Sequence, residues 1–267
     1  MPRRIATRVL VVGGGPVGMT LALDLAWRGI DVIVVERRPA NAPPNVKCGQ
    51  ISARSMEVFR RLGVAHKLRA IGLPADYPND IVSATSVLGI ELSRVLIPAR
   101  GERGISTTGP DTSWPTPEHT HRVNQIYFEP VLFAHVAAQA RVCILNCTEV
   151  DAITQHEKGV TAIAQDLDSG ERISIDCTYL VGCDGASSMV RKTIGAELQG
   201  TPVLQYAQST YIRAPALKSM LRGKPAWLYF SLNPRDMSSL GRLDKAVHAH
   251  SRIETKQGVV RAQRIVE

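Results

Sequence analysis

Three glycines and one glutamate near the start of the chain have the types and spacing of a nucleotide-binding site. Gly13, Gly15 and Gly18 form a G-x-G-x-x-G pattern. In this pattern the first glycine permits a tight turn, the second lets a diphosphate approach the backbone, and the third lets a helix pack closely on a strand. The carboxylate of Glu36 can accept hydrogen bonds from both hydroxyls of an adenosine ribose. These residues predict a site for the adenine end of a dinucleotide.

The elements that must position these residues form a βαβ unit. The apolar run at residues 9–12 predicts a buried parallel strand, and residues 31–35 predict a second one. Between them a helix begins after Gly15 and ends at Gly29. Its free N–H groups and its dipole attract a diphosphate. Pro16 and Val17 in the first turn are therefore further candidate cofactor-binding residues.

The unit does not by itself distinguish FAD from NAD. The acid at Glu36 disfavours a 2′-phosphate, so NADP is not expected at this site. Arg37, directly after Glu36, is another candidate cofactor-binding residue. The alternative is a glycine-rich turn without a ligand, which the ordered succession of strand, glycines, helix, strand and acid disfavours.

Composition excludes several classes of function. The chain of 267 residues is long enough for one large domain or two modest ones. Its net charge is +8, with lysines and arginines scattered along the sequence rather than clustered, and aromatic residues make up only 5%. This pattern indicates solubility and attraction for anionic ligands, not a nucleic-acid surface. The sequence also lacks an apolar run of the length, about 18 residues, that crosses a membrane.

The cysteine and histidine pattern predicts neither disulfides nor a metal site. Five cysteines occur without a C-x-x-C pair, which is typical of reduced thiols in a cytoplasmic protein. His119 and His121 lack the further ligands at regular spacing that a metal would require.

Arg54 is a candidate contact for an anion. It lies in the first turn of a helix predicted after Ser52, where the helix dipole disfavours a cation. An arginine there indicates a nearby anion, although an exposed surface arginine is an equally good explanation.

Hydrophobic periodicity predicts two regions, each built from two segments that alternate along the chain. Helical periodicity is lost after about residue 75, where two short strands with a turn near Gly89 precede a long polar loop. A helix returns after Arg122, followed by a meander of short strands and a separate apolar strand at 179–182. We therefore predict an α/β fold with a Rossmann-like domain at 1–75 and 121–200, and a discontinuous, sheet-rich region at 76–120 and 201–235.

Three stretches together resemble a known family. They are VVGGGPVGMTLALDLAWRGIDVIVVER, RVNQIYFEPVL and YLVGCDGASSMVRKTIGAELQG. The second resembles an R-x-x-Q-x-x-x-E-x-x-L helix, and the third a D-G motif with its flanks. The chain thus resembles the FAD-dependent aromatic hydroxylases, the single-component flavoprotein monooxygenases of the para-hydroxybenzoate hydroxylase type. The D-G stretch is the more specific signal, because simple NAD dehydrogenases lack it.

The resemblance implies roles for individual residues. The glycines and Glu36 would hold the ADP half of FAD. Arg122 and Gln125 would contact the ribityl-phosphate side. Asp184, with Gly185, would serve the riboflavin and pyrophosphate region; a β-turn aspartate is the alternative for Asp184.

The resemblance also implies an activity. The protein would hydroxylate a small aromatic, phenol-like substrate with O2 and with NADH or NADPH as a transient co-substrate. The residues identify no catalytic side chain, no particular substrate and no oligomeric state. A non-catalytic nucleotide-binding remnant and an NAD-dependent dehydrogenase remain as alternatives, and the D-G stretch argues against the second.

The chain departs from the family pattern in its last part. The family's third motif contains a Gly-Asp pair, and this sequence contains none. Residues 236–267 are charged and lack the expected apolar strands. We therefore expect a truncated form with a partial substrate-binding region and a weakly packed, atypical tail at 236–267.

Overall fold

The computed structural model places helices and strands in two compact units. It describes residues 2–40, 42–44, 48–110, 112, 115–201, 207–212, 214, 216–221, 223–233, 236–242 and 247–252. The first unit comprises Met1–Pro44, Phe59–Leu68 and Ile126–Gln199; the second comprises Asn45–Val58, Arg69–Gln125 and Gly200–Glu267.

Strands and helices alternate early in the chain, and strands dominate later. In order they are β1 (Arg3–Val12), α1 (Pro16–Trp27), β2 (Val32–Val35), α2 (Ala53–Arg61), α3 (Ala65–Arg69), β3 (Ile81–Ala84), β4 (Glu91–Val95), α4 (Gln125–Ala137), β5 (Val142–Leu145), β6 (Thr148–His156), β7 (Gly159–Asp166), β8 (Arg172–Gly182), α5 (Met189–Thr193), β9 (Ala207–Ile212), α6 (Leu217–Met220), β10 (Leu228–Asn233), β11 (Asp236–Arg242) and β12 (Val247–Arg252).

The first unit contains a six-stranded sheet in the order β5-β2-β1-β8-β7-β6. The strands β5, β2, β1 and β8 are parallel to one another. The strand β7 pairs antiparallel with β8, and β6 pairs antiparallel with β7. Leu10 and Val12 of β1 belong to the core on one face of this sheet. Val9 and Val11 are also buried and, by alternation, lie on the other face. A strand buried on both faces explains the unbroken apolar run that the sequence shows there.

One strand of this sheet is longer than the sequence indicated. Residues 173–175 and 179–182 were predicted to be separate strands, but they are parts of the continuous strand β8. Its pairing with β1 runs in parallel register from Arg3↔Ile173 to Val12↔Gly182. The polar residues in between interrupt the apolar pattern, whereas backbone hydrogen bonding to a long neighbour continues through them.

The second unit contains another six-stranded sheet, in the order β4-β3-β10-β11-β12-β9. The expected lack of strands in the tail is wrong for Asp236–Arg242 and Val247–Arg252, because β11 pairs antiparallel with both β10 and β12, and β12 pairs with β9. These ladders join backbone groups, so they form without the apolar alternation on which the prediction depended. Residues 243–246 and 253–267 of the predicted tail lie outside the described residues, and the weak packing of the tail stays a prediction.

The structure therefore has the predicted α/β class, with a Rossmann-like parallel core in the first unit and a sheet-rich second unit. In the part of the chain that the structure describes, no helix is long and apolar enough to cross a membrane. Within the same ranges, no group of three or more His, Cys, Asp or Glu residues is placed to hold a metal ion.

Candidate nucleotide-binding site

The turn between β1 and α1 lies against the end of β8. Gly13 has a φ of +106°, and its N–H donates to the Val35 carbonyl at 2.8 Å. A Cβ on Gly13 would overlap the Cys183 carbonyl oxygen and lie 2.9 Å from the amide nitrogen of Asp184. The Cys183 N–H in turn donates to the Val12 carbonyl at 2.7 Å. The glycine motif and the D-G motif, distant in sequence, therefore lie side by side at the carboxyl ends of β1 and β8.

Gly18 and Gly15 differ in what their missing side chains would meet. A Cβ on Gly18 would overlap the Gly13 carbonyl oxygen and approach Cγ1 of Val11 to 3.2 Å. Among the described residues, apart from Gly15 and its two chain neighbours, no atom would lie within 4 Å of a Cβ on Gly15, and its φ of −73° and ψ of −178° suit any residue. The chain's own packing thus requires glycine at position 18 but not at position 15. A glycine at 15 is explained by a ligand that approaches the backbone closely.

The beginning of α1 is suited to an anion. Gly15 is the N-cap residue and supplies no side-chain hydrogen bond, and the first turn contains no acidic residue. Pro16 occupies the start of the helix, and the Val17 side chain is exposed. The first-turn N–H groups therefore have no capping carboxylate in competition with a ligand.

Glu36 lies at the end of β2 with both carboxylate oxygens engaged. Oε2 accepts the Gly14 N–H at 2.7 Å. Oε1 accepts the Arg38 N–H at 2.9 Å and the Arg38 Nε–H at 3.0 Å. A carboxylate offers about four acceptor positions, so about one, on Oε2, is left for a ribose hydroxyl. The expectation of two ribose hydrogen bonds is therefore reduced to one in this arrangement.

Arg38 and Glu129, which the sequence pattern did not indicate, line the same cleft as Glu36. Arg38 Nη2 donates to Glu129 Oε1 at 2.6 Å, and both residues line one cleft with Gly14, Glu36 and Phe133. Glu129 is the acid of the R-x-x-Q-x-x-x-E-x-x-L stretch, and this position in the motif is the signal that could have identified it. By contrast, the predicted residue Arg37 is exposed, and its nearest carboxylate oxygen, on Glu149, is 3.9 Å away.

Asp184 accepts hydrogen bonds from the first turn of α5, whose N-cap residue is Ser188. Its Oδ1 accepts the Ser188 hydroxyl at 2.5 Å, and its Oδ2 accepts the N–H groups of Met189 at 2.6 Å and Val190 at 3.2 Å. Burial acts to raise the pKa of this carboxyl, but the hydrogen bonds from Ser188 and the backbone outweigh it and hold the pKa below its usual range. Gly185 follows in the same loop.

Three predicted residues lie in the second unit. Arg54 is exposed on α2 and donates to Glu57 Oε2 at 2.9 Å, after an N-cap at Ser52 whose hydroxyl accepts the Ser55 N–H. The Arg122 guanidinium stacks on the Trp227 ring, with Cζ 3.9 Å from the ring centroid. The Gln125 N–H, at the start of α4, donates to the Cys48 carbonyl at 3.2 Å. Cofactor contacts for these three residues stay predictions.

Comparison with known sequences identifies what this arrangement is similar to. A family model described as the FAD binding domain matches residues 6–263. The 2,4-dichlorophenol 6-monooxygenase of Delftia acidovorans is 31% identical over 239 residues, which cover 90% of this chain and 39% of the relative. Aklavinone 12-hydroxylase DnrF of Streptomyces peucetius is 32% identical over 241 residues, covering 89% of this chain and 47% of the relative. The chain therefore spans less than half the length of these curated relatives.

Solved structures give the same picture. The rebeccamycin biosynthetic enzyme RebC with reduced flavin superimposes with a TM-score of 0.84 at 32% identity, over 95% of this chain and 48% of RebC. The flavin-dependent monooxygenase PieE, in complex with FAD and substrate, superimposes with a TM-score of 0.82 at 26% identity, over 96% of this chain and 44% of PieE.

Proposed function

The chain belongs to the FAD binding domain family, and from this premise we propose that it acts in the NAD(P)H- and O2-dependent hydroxylation of a small, phenol-like aromatic substrate. The names of its relatives support the reaction type, because they include a dichlorophenol monooxygenase and an aklavinone hydroxylase. A cytoplasmic location stays a prediction from the cysteine pattern.

The observation that carries the proposal is the open space at Gly15. In the part of the chain that the structure describes, no atom beyond the two neighbouring residues lies within 4 Å of a Cβ built there, and the adjacent first turn of α1 has no capping side chain. These features fit the diphosphate of FAD, whose charge the helix N-terminus stabilises. The remaining acceptor position on Glu36 fits one hydroxyl of the adenosine ribose.

The protein's contribution would be binding and orientation. FAD, when bound, supplies the redox chemistry, accepting electrons from NAD(P)H and passing them to O2. The first turn of α1 would hold the diphosphate and Glu36 the ribose. Arg122 and Gln125 would hold the ribityl-phosphate side, and the loop of Asp184 and Gly185 the riboflavin half. The sheet of the second unit would contribute to the substrate pocket, from which water must be excluded.

Titration with nucleotides tests the cofactor. The purified 267-residue chain should bind FAD and ADP with a change in flavin fluorescence or with measurable heat, and should bind FAD more tightly than NAD. An NAD-dependent dehydrogenase would show the opposite order. Preference for NAD over FAD would therefore refute the proposal.

A coupled assay tests the reaction. The FAD-loaded protein is given NADH or NADPH with a panel of phenols, including 2,4-dichlorophenol. Consumption of NAD(P)H, hydroxylated product and hydrogen peroxide are measured together. We expect at least one phenol to accelerate NAD(P)H consumption and to yield hydroxylated product. A protein that binds FAD but gives neither effect with any phenol would support the non-catalytic alternative.

A further inference from the structure

The Arg38 side chain bridges two carboxylates that come from distant parts of the sequence. Its Nε donates to Glu36 Oε1 at 3.0 Å, and its Nη2 donates to Glu129 Oε1 at 2.6 Å. Glu36 directly follows β2, whereas Glu129 lies within α4. A guanidinium can do this because its donors are fixed in one plane and point in different directions.

The bridge lies in a partly buried environment, where salt screens it less than it screens an ion pair on the surface. The side chain of Glu129 is only 7% exposed, that of Glu36 11% and that of Arg38 33%. Burial acts to lower the pKa of Arg38, but its hydrogen bonds to Glu129 and Glu36 outweigh that effect and raise it. Arg38 therefore stays protonated, and both contacts are charge-assisted hydrogen bonds.

The bridge helps to fix the orientation of the Glu36 carboxylate. Oε1 is held by the backbone N–H and the side-chain Nε–H of Arg38, and Oε2 is held by the Gly14 N–H at 2.7 Å. With three donors from the chain, the carboxylate plane is set, and the acceptor position that remains points from Oε2. A carboxylate oriented before the ligand arrives does not lose rotational freedom on binding, which favours affinity.

We propose that Arg38 is a positioning residue of the nucleotide site: Glu129 anchors Arg38, and Arg38 orients Glu36 toward the ribose. This inference rests on the proposed FAD function. It gives the acid of the R-x-x-Q-x-x-x-E-x-x-L stretch a defined task in this chain, because that acid connects α4 to the ribose-binding end of β2.

Titration of the full chain with ADP, by calorimetry, tests the proposal. Arg38→Met keeps an unbranched side chain but removes both side-chain hydrogen bonds, and should raise the Kd for ADP about tenfold, the effect of one charged hydrogen bond. Arg141→Met is the matched control. It removes a 2.8 Å ion pair with Asp31, at the other end of β2, where both partners are exposed. The control should leave the Kd for ADP within about twofold.

Two more variants separate orientation from charge and from stability. Arg38→Lys keeps the charge but not the planar fork, so its Kd should stay at least about threefold above that of the wild type. Glu129→Gln should weaken ADP binding in the wild type but not in the Arg38→Met background, because the anchor acts through Arg38. Urea unfolding of each variant tests whether the bridge is merely structural. In that case, loss of the bridge would lower the free energy of unfolding while the Kd for ADP of the folded protein stayed unchanged.

The outcomes are distinguishable. Wild-type affinity in Arg38→Met, or full restoration by Arg38→Lys, would overturn the positioning role while leaving the FAD site intact. A wild-type chain that binds neither ADP nor FAD would refute the proposed function and this inference with it.

Discussion

Gly15→Val should abolish most nucleotide affinity without unfolding the protein. Gly15 has backbone angles that valine adopts, and a Cβ there would meet no atom within 4 Å among the described residues beyond its two chain neighbours. As N-cap it contributes no side-chain hydrogen bond, so the change should cost less than about 1 kcal/mol of stability. The valine side chain would instead occupy the path of the diphosphate.

The loss in affinity follows from the contacts that the diphosphate would make. If two first-turn N–H groups lose charged hydrogen bonds worth about 1.5–3 kcal/mol each, the total is about 3–6 kcal/mol. That corresponds to an increase of at least about 100-fold in the Kd for ADP or FAD.

Gly18→Ala is the matched comparison, because its Cβ would overlap the Gly13 carbonyl oxygen. It should lower the free energy of unfolding by about 1–3 kcal/mol through overpacking. Urea denaturation and calorimetric titration with ADP are measured on both variants. Unchanged ADP affinity in Gly15→Val would show that no diphosphate passes this position. A Gly15→Val chain less stable than Gly18→Ala would refute the assignment of the two glycines to ligand and to packing.

The remaining predictions concern stability at acid pH and thiol reactivity. The pKa of Asp184 is lowered from its ordinary 3.8, so its contribution to stability is present above the unfolded-state pKa and is lost as pH falls through the folded-state value. Asp184→Asn should therefore cost about 1 kcal/mol at neutral pH, as a weaker acceptor for the first turn of α5, and should flatten the loss of stability measured by urea unfolding between about pH 5 and pH 2. A variant with the same acid-side slope as the wild type would contradict this. Burial raises the pKa of the Cys177 and Cys183 thiols, so both should be alkylated more slowly than exposed Cys48 and Cys143 when labelling of the folded chain is followed by mass spectrometry. Equal rates for Cys177 and Cys143 would contradict the burial of β8.

The sequence by itself determined the βαβ unit at the start of the chain. The glycine spacing, the apolar run of β1 and the acid at Glu36 are local signals, because each depends on backbone geometry within a few neighbouring residues. The same holds for the N-cap at Ser52 and for the helix α4, which begins where periodicity returns. These signals were sufficient to predict the fold class, and the nucleotide position that they indicate stays a prediction.

Only the tertiary structure decided which side chains share the site. The contact between Arg38 and Glu129 joins residues 91 positions apart, and neither has a local pattern that predicts the other. The approach of Gly13 to Cys183 likewise depends on the parallel register of β1 and β8. The strands β11 and β12 formed where the apolar pattern was absent, because sheet ladders join backbone groups of distant segments. Register and packing of the whole chain set the pairing between distant segments. Residue types and their local spacing do not determine which segments pair.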